Sequence, residues 1–265
     1  MTNNFIDRLS QGQLNLLETC PPQFQRIYLE QLSYPISPEQ QEKLAWGKRF
    51  HLLMQQRELG LPIEPLLEED REIGRAFLSL VDAAPEIFHL DRDTWREAEH
   101  SRTLQFENYL LTVIYDLLIT NSFQAQIIDW KTYLQPPNMT KLEKNWQTRL
   151  YLYVLAETSE YVPEKISMSY WFVKLVDGVE KVTFNYNSQK HRATRNDLTR
   201  LLINLDNYLE DYLKAGTPFP HKQNCGESCP YYKSFCLDRS SVLEKDLNKQ
   251  KNWLANIAEI EEISL

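Results

Sequence analysis

Val113-Ile114-Tyr115-Asp116-Leu117-Leu118-Ile119, a break at Thr120-Asn121-Ser122, and then Ile127-Ile128-Asp129-Trp130-Lys131-Thr132 decide how this chain folds. Two runs rich in β-branched and apolar residues, parted by a short polar turn, read as neighbouring antiparallel strands from Leu110 to Ile119 and from Gln124 to Lys131. Strand side chains alternate, so Asp129 and Lys131 project to one face and Trp130 to the other. Asp116 stands inside the first run, where an unpaired charge is costly to bury, so a partner must compensate it. With the Asn121 turn joining the strands, Asp116 and Asp129 come close enough to share a divalent cation, with Lys131 beside an attacking water. Singly, each feature has a plainer reading: Asp116 paired with a core arginine, Asp-x-Lys arising by chance. On adjacent strands they form a candidate hydrolytic site.

The flanking segments supply helices. Ser37-Pro38-Glu39-Gln40 is a helix start, with Ser37 as N-cap, Pro38 in the first position and Gln40 closing a capping box. That helix should run to about Leu59 and stop at Gly60, with Leu44, Gly47, His51, Met54 and Glu58 on one face. A lone His51 on an apolar face also fits a satisfied core histidine; it gains meaning if its helix packs over the two strands. Lys141 to Glu157 is a second long helix, whose Leu142, Trp146, Leu150, Tyr153 and Val154 form a core face. Gln147 and Tyr151 share another face at i, i+4 spacing and can reach a substrate together.

Elsewhere, Ser10 to Glu18 and Gln23 to Leu32 read as short helices flanking a Pro21-Pro22 break, and Glu64 to Asp82 as one helix. Asp91 to His100 fits helix or strand, and Leu104 to Asn108 a strand. Ile166 to Val176 and Val179 to Tyr186 form a hairpin around Asp177-Gly178, followed by a helix from Thr194 to Ala215 closed by Gly216. A charged amphipathic helix is expected from Ser241 to Ile263. Strands set between helices predict an α/β fold, a mixed sheet flanked by helices on both sides.

At 265 residues, 42% apolar and 25% charged, the composition excludes wholesale disorder and low-complexity architecture. The length fits one domain with an appendage, taken as 1–240 and a helix at 241–265. The balance of 29 basic and 37 acidic residues, 29 − 37 = −8, gives no global field for nucleic acid, so any cationic track must be local. Lys190-His191-Arg192-x-x-Arg195 with Lys141, Lys144 and Arg149 can form one, with Trp130, Tyr151 or Tyr231 to stack on bases. The first residues lack the order of a signal peptide, and the apolar run near Leu110 is broken by Asp116, short of the roughly 20 residues a membrane helix needs. The expectation is a cytoplasmic protein with no membrane partner.

Four cysteines are unevenly placed: Cys20 near the start, then Cys225, Cys229 and Cys236 together. In a reducing compartment metal ligation explains this better than disulfides, and four thiolates close a zinc site or hold an iron-sulfur cluster. One centre bound by all four would staple the two ends of the chain.

The order Gly47-x-x-x-His51, Asp116, Ile127-Ile128-Asp129-Trp130-Lys131, Gln147-x-x-x-Tyr151 and a carboxy-terminal cysteine triplet resembles the RecB-like PD-(D/E)XK nucleases. Closest in plan are AddB nuclease domains and CRISPR-associated exonucleases with four-cysteine clusters. The resemblance implies a restriction-endonuclease-like core whose helical ends are joined by a 4Fe-4S cluster on Cys20, Cys225, Cys229 and Cys236. It also implies that His51, Asp116, Asp129 and the carbonyl of Trp130 bind Mg2+ or Mn2+, that Lys131 orients or activates the water, and that Gln147 and Tyr151 position DNA. An upstream acid would be Glu97 or Glu99. The triplet here is C-x3-C-x6-C rather than C-x2-C-x5-C, which keeps zinc as an alternative. With no GxxxxGK[ST] loop, a motor would sit on a helicase or CRISPR-type partner. The function so implied is an exonuclease on single-stranded DNA or DNA ends. The alternative is a binding or assembly subunit that keeps the fold without useful catalysis; an electron carrier would not need the Asp-x-Lys pair.

Overall fold

The computed structural model describes residues 6–32, 37–88, 93–134, 138–175 and 177–222. Cys225, Cys229, Cys236, Tyr231, the expected tail helix and the 240/241 boundary lie outside them.

In chain order, β1 (Arg8–Leu9) is followed by α1 (Gln11–Thr19) and α2 (Pro21–Phe24), with a π-helical turn over Gln25–Leu29. The break between two helices falls where the sequence places it, but the second begins at Pro21 rather than Gln23: Pro21 takes the first helical position, where a missing N–H costs nothing. α3 (Pro38–Glu58) starts as the sequence indicates, with Gln40 N–H donating to Ser37 Oγ at 3.2 Å and Ser37 N–H to Gln40 Oε1 at 3.0 Å. Gly60 ends it at φ 69. The single helix expected from Glu64 to Asp82 is two, α4 (Glu64–Glu69) and α5 (Arg71–Ala83). Asp70 divides them because its carboxylate accepts from Glu72 N–H at 3.0 Å and Ile73 N–H at 3.2 Å, which caps a new helix. α6 (Pro85–Phe88) precedes three strands: β2 (Trp95–Phe106), β3 (Tyr109–Thr120) and β4 (Ala125–Lys131).

Lys141 to Glu157 also splits, into α7 (Met139–Lys144) and α8 (Trp146–Glu157), because Asn145 caps the latter through Gln147 N–H at 2.8 Å. The hairpin is β5 (Ile166–Phe172) and β6 (Glu180–Asn185); α9 (Ser188–Ala215) begins before the expected Thr194 and ends at Gly216, φ 67. The six strands form one mixed sheet in the order β1-β3-β4-β5-β6, with β2 also on β3. No helix among the described residues is long and apolar enough to cross a membrane.

The chain forms two compact units. Described residues within 36–105 and 111–194 make the first. Here β3 and β4 are antiparallel from Leu117↔Ile128 to Thr120↔Ala125, and the Asn121 side chain closes their turn by accepting from Phe123 and Gln124 N–H at 2.9 Å. β4 and β5 run parallel from Ala125↔Ile166 to Lys131↔Phe172, and β5 and β6 antiparallel. Trp46, Phe50 and Leu53 of α3 and Phe77 and Leu80 of α5 pack with Leu117, Ile128, Trp130 and Trp171. Each such side chain contributes about 1.5–3 kcal/mol by leaving water. α8 is held to the strands by the Thr148 Oγ1–Tyr170 hydroxyl contact at 2.7 Å and by Tyr115 Oη donating to Tyr151 O at 3.0 Å.

Described residues within 1–35, 106–110 and 195–265 make the second unit. Leu110 N–H donates to Asp7 O at 2.8 Å, Tyr109 Oη to Asp206 Oδ1 at 2.5 Å, and Phe219 N–H to Gln25 Oε1 at 2.6 Å. Phe24 stacks on Phe219, and Cys20 is buried at the start of α2.

Candidate metal centre

The site begins where the ladder between β3 and β4 gives out. Main-chain pairing ends at Leu117↔Ile128; the Trp130 N–H then donates to Asp116 Oδ2 at 2.7 Å. A carboxylate thus takes the place of a main-chain acceptor, which answers what holds a charged side chain inside an apolar strand. His51, carried over this point by α3, spans the same gap: Nε2 lies 3.0 Å from Trp130 O and Nδ1 lies 3.4 Å from Asp116 Oδ1. A carbonyl only accepts, so in this arrangement Nε2 carries a proton and Nδ1 faces the carboxylate. His51 is therefore part of the strand-end cluster.

Of the two upstream acids, Glu99 joins it. Ligand atoms of His51, Glu99 and Asp116 all lie within 4.8 Å of one another. Glu99 has φ 51, a left-handed backbone within a strand, which interrupts the alternation and re-aims the side chain. Glu97 is occupied differently. Arg102 Nε donates to His100 Nε2 at 3.1 Å, so His100 Nδ1 holds the hydrogen that goes to Glu97 Oε2 at 2.8 Å.

Beside them lies a buried triad in which Asp129, Lys131 and Gln147 are 2%, 5% and 5% exposed. Gln147 Nε2 donates to Asp129 Oδ2 at 2.7 Å and Gln147 Oε1 accepts from Lys131 Nζ at 2.9 Å. A carboxylate only accepts and an ammonium only donates, so this network fixes the amide's orientation. Lys131 Nζ is also 2.7 Å from Asp129 Oδ1 as an ion pair, yet Oδ1 accepts no aligned hydrogen bond. A carboxylate oxygen has more than one lone pair, so Oδ1 can accept from a further partner beside the Lys131 ammonium.

Electrostatics separate the two aspartates. Burial alone would raise Asp116, but the His51 charge and hydrogen bond, then Lys131 and the Trp130 N–H, hold it below the usual carboxylate range. Burial dominates at Asp129 and, with the charge of Asp116, outweighs Lys131 to bring it up to about 7. Burial works against the Lys131 ammonium, but Asp129, Tyr133 and Asp116 more than offset it and its pKa is raised. The converging donors of His51, Glu99 and Asp116, with Asp129 close enough to Asp116 to feel its charge, suit a hard divalent cation, which would relieve the repulsion between the two aspartates.

Other expected contacts are placed differently. Trp130 and Tyr151, read as stacking surfaces, are 2% and 3% exposed; the Trp130 ring belongs to the α3 and α5 core while only its backbone faces the cluster. Burial first, then the charges of Asp129 and Asp116, pushes the Tyr151 hydroxyl well above its usual range. Gln147 and Tyr151 do share a face, and that face is turned inward. An exposed aromatic that sequence reading passed over is Trp95, 48% exposed and edge-on to His100 at 5.3 Å. Of the cationic candidates, Lys190 pairs with Glu143 at 2.9 Å and Arg149 lies over the Trp146 ring at 4.3 Å, while Lys141, Lys144 and Arg192 are exposed.

Comparison with known proteins gives the geometry a context. A family model described as the PD-(D/E)XK nuclease superfamily matches residues 8–236. A solved protein from Eubacterium rectale, described as a candidate exonuclease, is 8% identical, with 93% of this chain and 97% of that chain covered and a TM-score of 0.53, a likeness of fold. The solved chain SSO0001 is 12% identical over 81% of this chain and 88% of that one, with a TM-score of 0.35. No curated protein matches in sequence.

Proposed function

This chain belongs to the PD-(D/E)XK nuclease superfamily, with a restriction-endonuclease-like mixed sheet flanked by helices, and on that premise we propose that it is a divalent-metal-dependent nuclease hydrolysing DNA at single strands or ends. The observation that carries the reading is the Asp129–Lys131–Gln147 triad set beside the converging donors of His51, Glu99 and Asp116. Mg2+ or Mn2+ held by these donors, Asp129 Oδ1 and the Trp130 carbonyl would lower the pKa of a bound water and neutralise charge on the scissile phosphate.

The protein's own groups do the rest. Lys131 stays an ammonium, so it donates to the water or to a phosphate oxygen and does not act as the base. Gln147 holds Lys131 and Asp129 in fixed relation, and His51 ties α3 to the parted strands. Trp95 offers an accessible ring to a base next to Glu99, and Lys141, Lys144 and Arg192 offer charge to the backbone. The exonuclease description of the Eubacterium rectale neighbour supports action at ends. Cys20, buried near the amino terminus, with Cys225, Cys229 and Cys236 is proposed to hold a 4Fe-4S cluster, or zinc; iron, sulfide and zinc assays on anaerobically purified protein distinguish the two. Unwinding would come from a helicase or CRISPR-type partner.

The test is Mn2+-dependent cleavage of end-labelled single-stranded DNA by wild type and Asp129→Ala. Cleavage lost in the variant supports the nuclease. Tight DNA binding without cleavage by metal-replete wild type would overturn it in favour of a binding or assembly subunit.

A further inference from the structure

We propose that the buried Glu58–Arg96 pair is a positioning device that holds the strand carrying Glu99 in register with the helix carrying His51, and so sets the spacing of the metal donors. This rests on the nuclease reading above. Arg96 Nε and Nη2 donate to Glu58 Oε2 and Oε1 at 2.6 and 2.7 Å, a two-pronged contact between side chains 12% and 8% exposed. Arg96 Nη1 donates to Ile87 O at 2.6 Å. Glu58 Oε1 also accepts from Arg57 Nη1 at 2.7 Å, and Arg57 Nη2 donates to Phe88 O at 3.3 Å with its guanidinium 4.4 Å from the Phe88 ring centre. The end of α3, α6 and the start of β2 are thereby joined at one point.

The pair sits where it can set the site. Glu58 follows His51 by two helical turns on the same helix, about 10 Å away, and Arg96 precedes Glu99 by about 10 Å of strand. Among the described strands β2 pairs with β3 alone, so the sheet holds it along one edge and the Glu58–Arg96 contact adds a hold from α3. Glu99 needs one most, because its left-handed φ of 51 persists only when surrounding structure over-determines it. A planar fork on a carboxylate fixes orientation as well as distance, which a lysine in the same place would not. Stability is a poor explanation for the pair, since buried ion pairs are commonly replaceable by apolar residues at no net loss.

The test compares wild type, Arg96→Lys, Glu58→Gln and the double variant Glu58→Met/Arg96→Met, which removes both members of the pair together and leaves Arg57, 22% exposed, with its contact to Phe88 O. Mn2+ affinity of metal-stripped protein, the Mn2+ dependence of single-stranded DNA cleavage and the melting temperature are measured on each. The expected result is an affinity loss of tenfold or more in Arg96→Lys and in the double variant, with cleavage recovered at high Mn2+ and the double variant melting near wild type. Wild-type Mn2+ affinity in the folded double variant and in Arg96→Lys would overturn the positioning role while leaving the nuclease reading intact. A wild type that neither binds Mn2+ nor cleaves would overturn the nuclease reading itself.

Discussion

Gln147 Nε2 donates to Asp129 Oδ2 at 2.7 Å while the same amide accepts from Lys131 at 2.9 Å, so one side chain of α8 spans both members of the Asp-x-Lys pair. Gln147→Ala leaves each buried charge short of a partner, at about 1–3 kcal/mol for such a group. Cleavage in Mn2+ is expected to fall by about 10- to 100-fold. Gln147→Glu keeps the contact with Lys131 but sets a carboxylate against Asp129, so it should not restore the rate. Recovery in Gln147→Glu would mean the residue acts elsewhere.

The raised Asp129 gives a pH dependence with a definite sign. Its folded-state pKa of about 7 stands above the roughly 3.9 of an unfolded aspartate, so the folded state holds that proton more tightly. The resulting stabilisation is complete below about pH 4 and is lost as pH rises through 7. Above that, the metal-free protein carries two ionised carboxylates close together, which a cation neutralises. The melting-temperature gain from saturating Mn2+ is therefore expected to be larger at pH 8 than at pH 6, and Mn2+ binding near pH 6 should release a proton. Equal gains at both pH values would show that Asp129 is not in contact with the metal.

Glu97 and Glu99 are separable by the same assay. Glu99→Gln removes a donor of the converging set and is expected to weaken Mn2+ binding by about 10- to 100-fold. Glu97→Gln disturbs only the His100 contact and should change Mn2+ affinity little. The reverse ranking, measured by titration of metal-stripped protein, would reassign the acid.

These residues also show what a sequence can disclose. β3, the Asn121 turn and β4 were legible because strand alternation and turn chemistry are local, and Asp116 announced itself as a charge among β-branched residues. The start of α3 was legible from its capping box. What escaped depends on one residue or on tertiary direction. Asp70 and Asn145 each cut a continuous helical pattern in two by capping. Glu99 lies in a strand whose alternation its own left-handed backbone breaks, which is why Asp91 to His100 read as either state. Helical spacing placed Gln147 and Tyr151 on one face, but only packing tells whether that face meets solvent or core. Trp130 likewise offers a backbone to the cluster and a ring to the interior.

Trp95 is an exposed aromatic on β2, the strand that carries Glu99, and its role in holding substrate is testable apart from metal binding. Base stacking on an aromatic ring contributes about 1–3 kcal/mol per base. Trp95→Ala should accordingly weaken single-stranded DNA binding by about 5- to 100-fold, raise KM and leave Mn2+ affinity and saturated kcat near wild type. Trp95→Phe should recover much of the loss, because a smaller ring still stacks. The ring also touches His100, which lies flat against Tyr115 with planes 20° apart, so a purely structural role predicts a lowered melting temperature and unchanged KM. A KM shift at constant melting temperature assigns Trp95 to the substrate strand; the opposite pattern assigns it to the support of β2.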